Sequence, residues 1–138
     1  PGRCFTGLVR GFGITSGALA ASGAWDTSDL VVIGAGESEM AAAVNRICQT
    51  GGGIAAVQDG RVIAELPLPI LGVTSDQPMD KILECNRQIR AAARELGIVF
   101  PDPVLSLLTL TGAAIPFIRI CEQGLVDLKT GKTLDLFA

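Results

Sequence analysis

A short acidic loop, Trp25-Asp26-Thr27-Ser28-Asp29, holds the densest set of side chains able to do chemistry. Its two carboxylates, with hydroxyls between them, offer oxygen ligands to a divalent cation or polar contacts to a substrate. Asp and Ser also bond their own backbone in ordinary turns, so a plain turn is the competing reading. Trp25, the only tryptophan, reads as a core or interface anchor beside the loop. Gly34-Ala35-Gly36 supplies the first two glycines of a dinucleotide-binding turn, but Glu39 stands where the third belongs. A tight strand-to-helix turn is the simpler account. Gly131-Lys132-Thr133 ends like a phosphate loop, yet Val126 occupies the required upstream glycine position and a strand follows, so it reads as a hairpin turn. Gly51-Gly52-Gly53 carries a conformational-entropy cost that something must offset. A helix stop with close passage into a sheet would do so, as would contact with a ligand or neighbouring domain.

The chain has no histidine and no tyrosine. The commonest general acid/base near neutral pH is therefore missing, along with the commonest zinc ligand. No Ser-His-Asp or Cys-His set can be assembled from it. The four cysteines stand at 4, 48, 85 and 121 with no C-x-x-C pair, which does not suggest a metal site. Cys48 and Cys85 fall in helical patterns, so free buried thiols in a reducing cytoplasm are expected, with a reactive or disulfide role as the alternative. No catalytic residue and no metal ligand is assigned.

Length and composition set the frame for these residues. With 138 residues, 49 % of them apolar and 18 % charged, one folded domain with a real core is expected and disorder is not. A net charge of −3 lacks the basic face that nucleic-acid binding needs. No apolar run reaches the roughly 18 residues of a membrane span, and no signal peptide is visible. The first residue is Pro1, which reads as the start of a processed or excised piece.

The elements that position the loop follow from pattern. Strands are expected over Phe5–Phe12, Ala18–Ala24 and Leu30–Ile33. The small residues of the second imply close approach of another backbone. A helix capped by Ser38 carries Met40, Val44, Ile47 and Cys48 and stops at Gly51. Ile54–Val57 and Arg61–Leu66 form a hairpin about Asp59-Gly60. Glu65 reads as an outward, solvated acid in that hairpin. Pro67-Leu68-Pro69 forces an extended connection. A long helix capped by Ser75 or Asp76 presents Met79, Ile82, Leu83, Ile89, Ala93 and Leu96 as one stripe and closes at Gly97. Pro101-Asp102-Pro103 is a rigid break, and Val104–Leu110 reads as a short helix, with a buried strand as the alternative, ended near Pro116. Strands over Phe117–Cys121, Leu125–Leu128 and Thr133–Phe137 complete an α+β (mixed α/β) domain, a largely antiparallel sheet covered by two main helices.

Read as a whole string, the chain resembles the C-terminal domain of adenine deaminases in the amidohydrolase superfamily. The matching residues run nearly end to end: Leu8 to Gly13, Gly17 to Ala20, Val31 to Gly34, Met40 to Arg46 and Gly51 to Gly53. They continue with Glu65 to Ile70, Gly72, Ser75-Asp76, Ala92 to Gly97, Pro101 to Pro103 and Gly124 to Asp127. The succession Asn45-Arg46, Gly51-Gly52-Gly53, Glu65-Leu66-Pro67-Leu68-Pro69 is the specific part. The resemblance implies residues 1–138 as a C-terminal domain whose family form begins earlier than Pro1. It implies a parent enzyme that hydrolyses adenine to hypoxanthine and ammonia. The metal ligands of such an enzyme, for manganese or iron, lie on an N-terminal β/α barrel absent from this chain, and a metal-bound water is the nucleophile. It further implies a cytoplasmic homo-oligomer whose nearest partner is that barrel. Where the family has a His-Asp-Ser-His-Asn loop, this sequence has Trp25-Asp26-Thr27-Ser28-Asp29. Only Asp26 is kept, and Trp25 and Ser28 replace both histidines, so a different amine or amide substrate is an open alternative. Trp25, Asp26, Thr27, Ser28 and Asp29 are the substrate-binding candidates, near the active-site entrance. A free-standing small-molecule-binding or oligomerisation module derived from that domain is the rival reading.

Overall fold

A computed structural model describes residues 4–24, 26–27, 29–114 and 117–136. Two antiparallel sheets and three helices make an α+β fold. The larger sheet has four strands in the order β2-β1-β3-β4: β1 (Ala18–Ala21), β2 (Val31–Gly34), β3 (Gly53–Gln58) and β4 (Arg61–Pro67). β1 is central, paired with β2 through Ala21↔Val31 and with β3 through Ala21↔Ile54.

Strand alternation splits the core into two layers. Ala18 and Ala20 of β1 join Ala55 and Val57 of β3 beneath α1 (Glu37–Thr50), which contributes Ala43 and Ile47. Leu19 and Ala21 face the opposite side with Ile54, Ala56, Ala64 and Leu66. There they meet Ile89, Ala92 and Ala93 of α2 (Met79–Glu95) and Leu107 and Leu108 of α3 (Pro103–Thr109). All four residues of β1 are fully buried, so the small side chains expected to admit a close neighbour do so from both sides.

The second sheet, in the order β5-β6-β7, comprises β5 (Ile118–Cys121), β6 (Gly124–Asp127) and β7 (Lys132–Leu134). Its backbone tie to the helical layer is Ile120 N–H donating to the Leu110 carbonyl at 2.8 Å.

Several local expectations are corrected. Phe5–Phe12 is not a strand: Leu8 and Val9 face solvent, and Gly11 and Gly13 at φ +86° interrupt extended geometry. Phe12 anchors the end of that segment, buried edge-on against Phe100 at 4.9 Å, and Phe5 is half-buried near Gly124. Ser38 does not cap α1; Gly36 does, in an extended conformation and with no side-chain bond. Neither Ser75 nor Asp76 caps α2, which starts after Pro78; Ser75 Oγ instead accepts Gln77 N–H at 3.2 Å. Of the stripe on α2, Ile89, Ala93 and Leu96 are buried and Ile82 packs against the core, whereas Met79 and Leu83 are exposed. Cys48 is exposed, and Cys85 is half-buried with its side chain against the main core; only Cys121 is buried, and all four thiols are free. Pro116 and Phe137, expected to end a helix and a strand, lie outside the described residues. In α3, Asp102 caps through a bond from Leu105 N–H at 3.1 Å, with Pro103 in the first turn.

Glu65 is not free in solvent. It points toward α1 and receives a two-pronged contact from Arg46, at 2.6 and 2.8 Å. The Arg46 hydrogen bond holds the Glu65 carboxyl below the usual glutamate range, against an opposing desolvation. A depressed carboxylate stabilises the fold above its unfolded pKa and loses that contribution as pH falls through the folded value. Glu65→Gln is therefore expected to lower stability at neutral pH while flattening the acid side of the unfolding curve. Parallel acid limbs for variant and parent, in urea titrations across pH, would refute this.

Candidate functional site

The β1–β2 connection carries the acidic loop at one end of the four-stranded sheet. Ala24 is buried and starts it, and its carbonyl accepts Thr27 N–H at 3.3 Å, closing a turn. Asp26 and Thr27 lie in that turn, with Asp29 just beyond. Trp25 and Ser28 fall outside the described residues.

Two long-range ties fix the loop. Asp26 Oδ2 accepts Ala113 N–H at 2.9 Å, across 87 residues of sequence. Asp29 Oδ2 faces Arg119 Nη2 of β5 at 4.0 Å, with both side chains about four-fifths buried. That spacing is long for a charge-assisted bond, which prefers roughly 2.7–2.9 Å. Asp29 Oδ2, Arg119 Nε and Thr27 Oγ1 are buried without a hydrogen-bond partner among the described residues. Buried polar atoms are normally satisfied, so these three call for partners that the described residues do not supply. Sequence reasoning found the loop but missed Arg119 and Ala113, because nothing local to residues 113 or 119 points to a loop so distant in the chain.

Glycine sites weighed earlier as ligand contacts are explained inside the fold. Gly51 is the left-handed residue that ends α1, at φ +74°. Gly52 packs against the backbone of residues 68–72, where a Cβ would stand 2.4 Å from Gly72 Cα. Gly34-Ala35-Gly36 is a strand-to-helix turn, and Gly131 is a turn residue before β7. A groove of about 710 Å³ runs along β4 and is lined by Arg46, Ile63, Glu65, Lys81 and Cys85 among others. None of its lining residues belongs to the acidic loop. A register shift, Pro67 and the Arg46–Glu65 pair blunt that strand edge.

Among the described residues, no group of three or more His, Cys, Asp or Glu is arranged to hold a metal ion. The donor set does not fit a catalytic metal centre: histidine is absent and the thiols are scattered. No helix among the described residues is long and apolar enough to cross a membrane.

Residues 1–132 match the model of the family described as "Adenine deaminase C-terminal domain". The "Adenine deaminase" of Brucella abortus (strain 2308) is 40 % identical over 127 residues, covering 92 % of this chain and 22 % of that protein. That of Gluconobacter oxydans (strain 621H) is 40 % identical over 124 residues, 90 % of this chain and 22 % of its own length. The "Adenine deaminase" of Clostridium botulinum (strain Langeland) is 38 % identical over 136 residues, 99 % and 23 % respectively. The chain thus spans less than a quarter of the length of these relatives.

Proposed function

The chain belongs to the adenine deaminase C-terminal domain family, and from that premise we propose that it serves as the C-terminal domain of an adenine-deaminase-like, metal-dependent amidohydrolase. In this reading the parent converts adenine and water to hypoxanthine and ammonia. A manganese or iron site and the proton transfers belong to a barrel elsewhere in the parent chain, and no catalytic step is routed through residues 1–138. The parent works as a cytoplasmic homo-oligomer. The domain buttresses the barrel and holds the loop of Trp25, Asp26, Thr27, Ser28 and Asp29 beside the substrate entrance.

The observation that carries the site assignment is the double tether, Asp26 to Ala113 N–H and Asp29 toward Arg119. A polar loop bonded to one distant segment and facing the charge of another is a preorganised loop, and binding loops are positioned in that way on rigid scaffolds. Asp26 is exposed, so its carboxylate can meet a group outside the domain while Ala113 fixes its direction.

The test is Asp26→Ala in the full-length chain, assayed for ammonia release from adenine with manganese or iron supplied. One lost hydrogen bond of about 0.5–1.5 kcal/mol should raise KM roughly threefold to tenfold with a smaller change in kcat. Unchanged kinetics would remove the loop from the entrance. Full adenine turnover by residues 1–138 alone would overturn the division of labour itself.

A further inference from the structure

The connection from β4 to α2 makes a turn that displays an apolar residue in an unfavourable backbone state. Leu71 sits at φ +56° and Gly72 at φ +75°. Two consecutive positive-φ residues are the mark of a type I′ turn, where Asn-Gly is the favoured pair and a bulky side chain is strained. Leu71 is also 92 % exposed, beside Ile70 and Val73, which are exposed too. Strain and exposed apolar surface thus fall on one residue.

The turn is held firmly nonetheless. Ile70 and Thr74 exchange backbone bonds, each at 3.1 Å. Ser22 Oγ donates to the Gly72 carbonyl at 2.7 Å and accepts Gly53 N–H at 2.8 Å. Gly52 packs so closely beneath that its missing Cβ makes room for Gly72. A rigid mount for a strained, solvated leucine makes sense if the side chain is a knob for a socket outside residues 1–138.

We propose that Leu71, with Ile70 and Val73 beside it, is the anchor by which this domain docks into an apolar socket on the barrel portion of the same chain. This rests on the reading above. The occupant is chosen because more than three-quarters of each full-length relative lies outside the matched region, and an intrachain socket needs no second molecule.

The experiment uses the full-length chain and reads amide exchange of residues 68–74 by mass spectrometry, in the parent, Leu71→Asp and Leu71→Gly. Full burial of a leucine corresponds to roughly a tenfold to hundredfold change in a docking equilibrium. Both variants should speed exchange in the segment by that factor. Glycine separates the causes, since it relieves the positive φ while deleting the knob. Parent-like exchange in both variants would overturn the proposal, because the leucine would then face solvent in the whole protein. Fast exchange in Leu71→Asp with slow exchange in Leu71→Gly would also overturn it, because the added charge and not the missing leucine would then be the cause. Protection that falls on dilution together with oligomer mass would overturn it in favour of a second copy. Failure of the functional reading shows separately, as a parent enzyme that does not deaminate adenine.

Discussion

Gly52→Ala should unfold the domain far more easily than its size suggests, by about 3 kcal/mol or more, although it adds one methyl group. Two costs fall on the same atom. Gly52 lies at φ +128°, a conformation essentially reserved for glycine. An added Cβ would also stand 2.4 Å from Gly72 Cα and 2.7 Å from the Leu68 carbonyl oxygen, and both neighbours are backbone. Backbone cannot rotate away as a side-chain tip can, so either the 68–74 turn shifts or the start of β3 does. Gly51→Ala is the internal control. Gly51 shares the positive φ, at +74°, but nothing lies within 4 Å of its Cβ position. It should lose only the left-handed penalty, about 1–2 kcal/mol. Urea unfolding of the two variants decides the matter. Equal losses would mean that close approach to the 68–74 turn is not what Gly52 provides.

The same contrast shows how far the sequence could be read. Gly51-Gly52-Gly53 announced a helix stop and a close passage, and both are there. Its partner, Gly72, was invisible because the contact joins two turns that no periodicity connects. Alternation located β4 and helical spacing located α1 and α2, since those patterns record which side of each element is buried. The opening segment misled: Phe5, Leu8, Val9 and Phe12 look like a strand until one asks what would pair with it. Burial of Phe12 and partial burial of Phe5 satisfy the segment without pairing. Helix starts slipped for a related reason. Ser38 and Ser75 are good capping residues, but Gly36 and Pro78 already place the backbone in the extended geometry a cap needs. The acidic loop was legible from composition. Its meaning depends on Ala113 and Arg119, which only the folding of the C-terminal third brings near.

Leu107→Ala is expected to cost about 2–5 kcal/mol, the usual range for emptying a buried leucine site. Leu107 has no exposed surface and packs in the layer shared with Leu19 and Ile89. Leu105, two residues earlier on α3, is 49 % exposed. Its replacement by Ala should stay within about 0.5 kcal/mol. The larger consequence concerns the loop. Immediately after α3, Thr111 is buried and bonds back to the Leu108 carbonyl through its N–H at 3.1 Å and its hydroxyl at 2.9 Å. Ala113 then meets Asp26, and Leu110 holds Ile120 of β5, the strand that carries Arg119. Both tethers of the acidic loop therefore run through the end of this helix. A cavity at Leu107 lets α3 settle, and the settling reaches Ala113 and β5 together. Packing at residue 107 and hydrogen bonding at residue 26 should then be coupled. In a double-mutant cycle on the full-length chain, Leu107→Ala and Asp26→Ala should be non-additive in KM by about 0.5 kcal/mol or more. Strict additivity would show that α3 supports the core without positioning the loop, and the tether from Ala113 would lose its functional meaning.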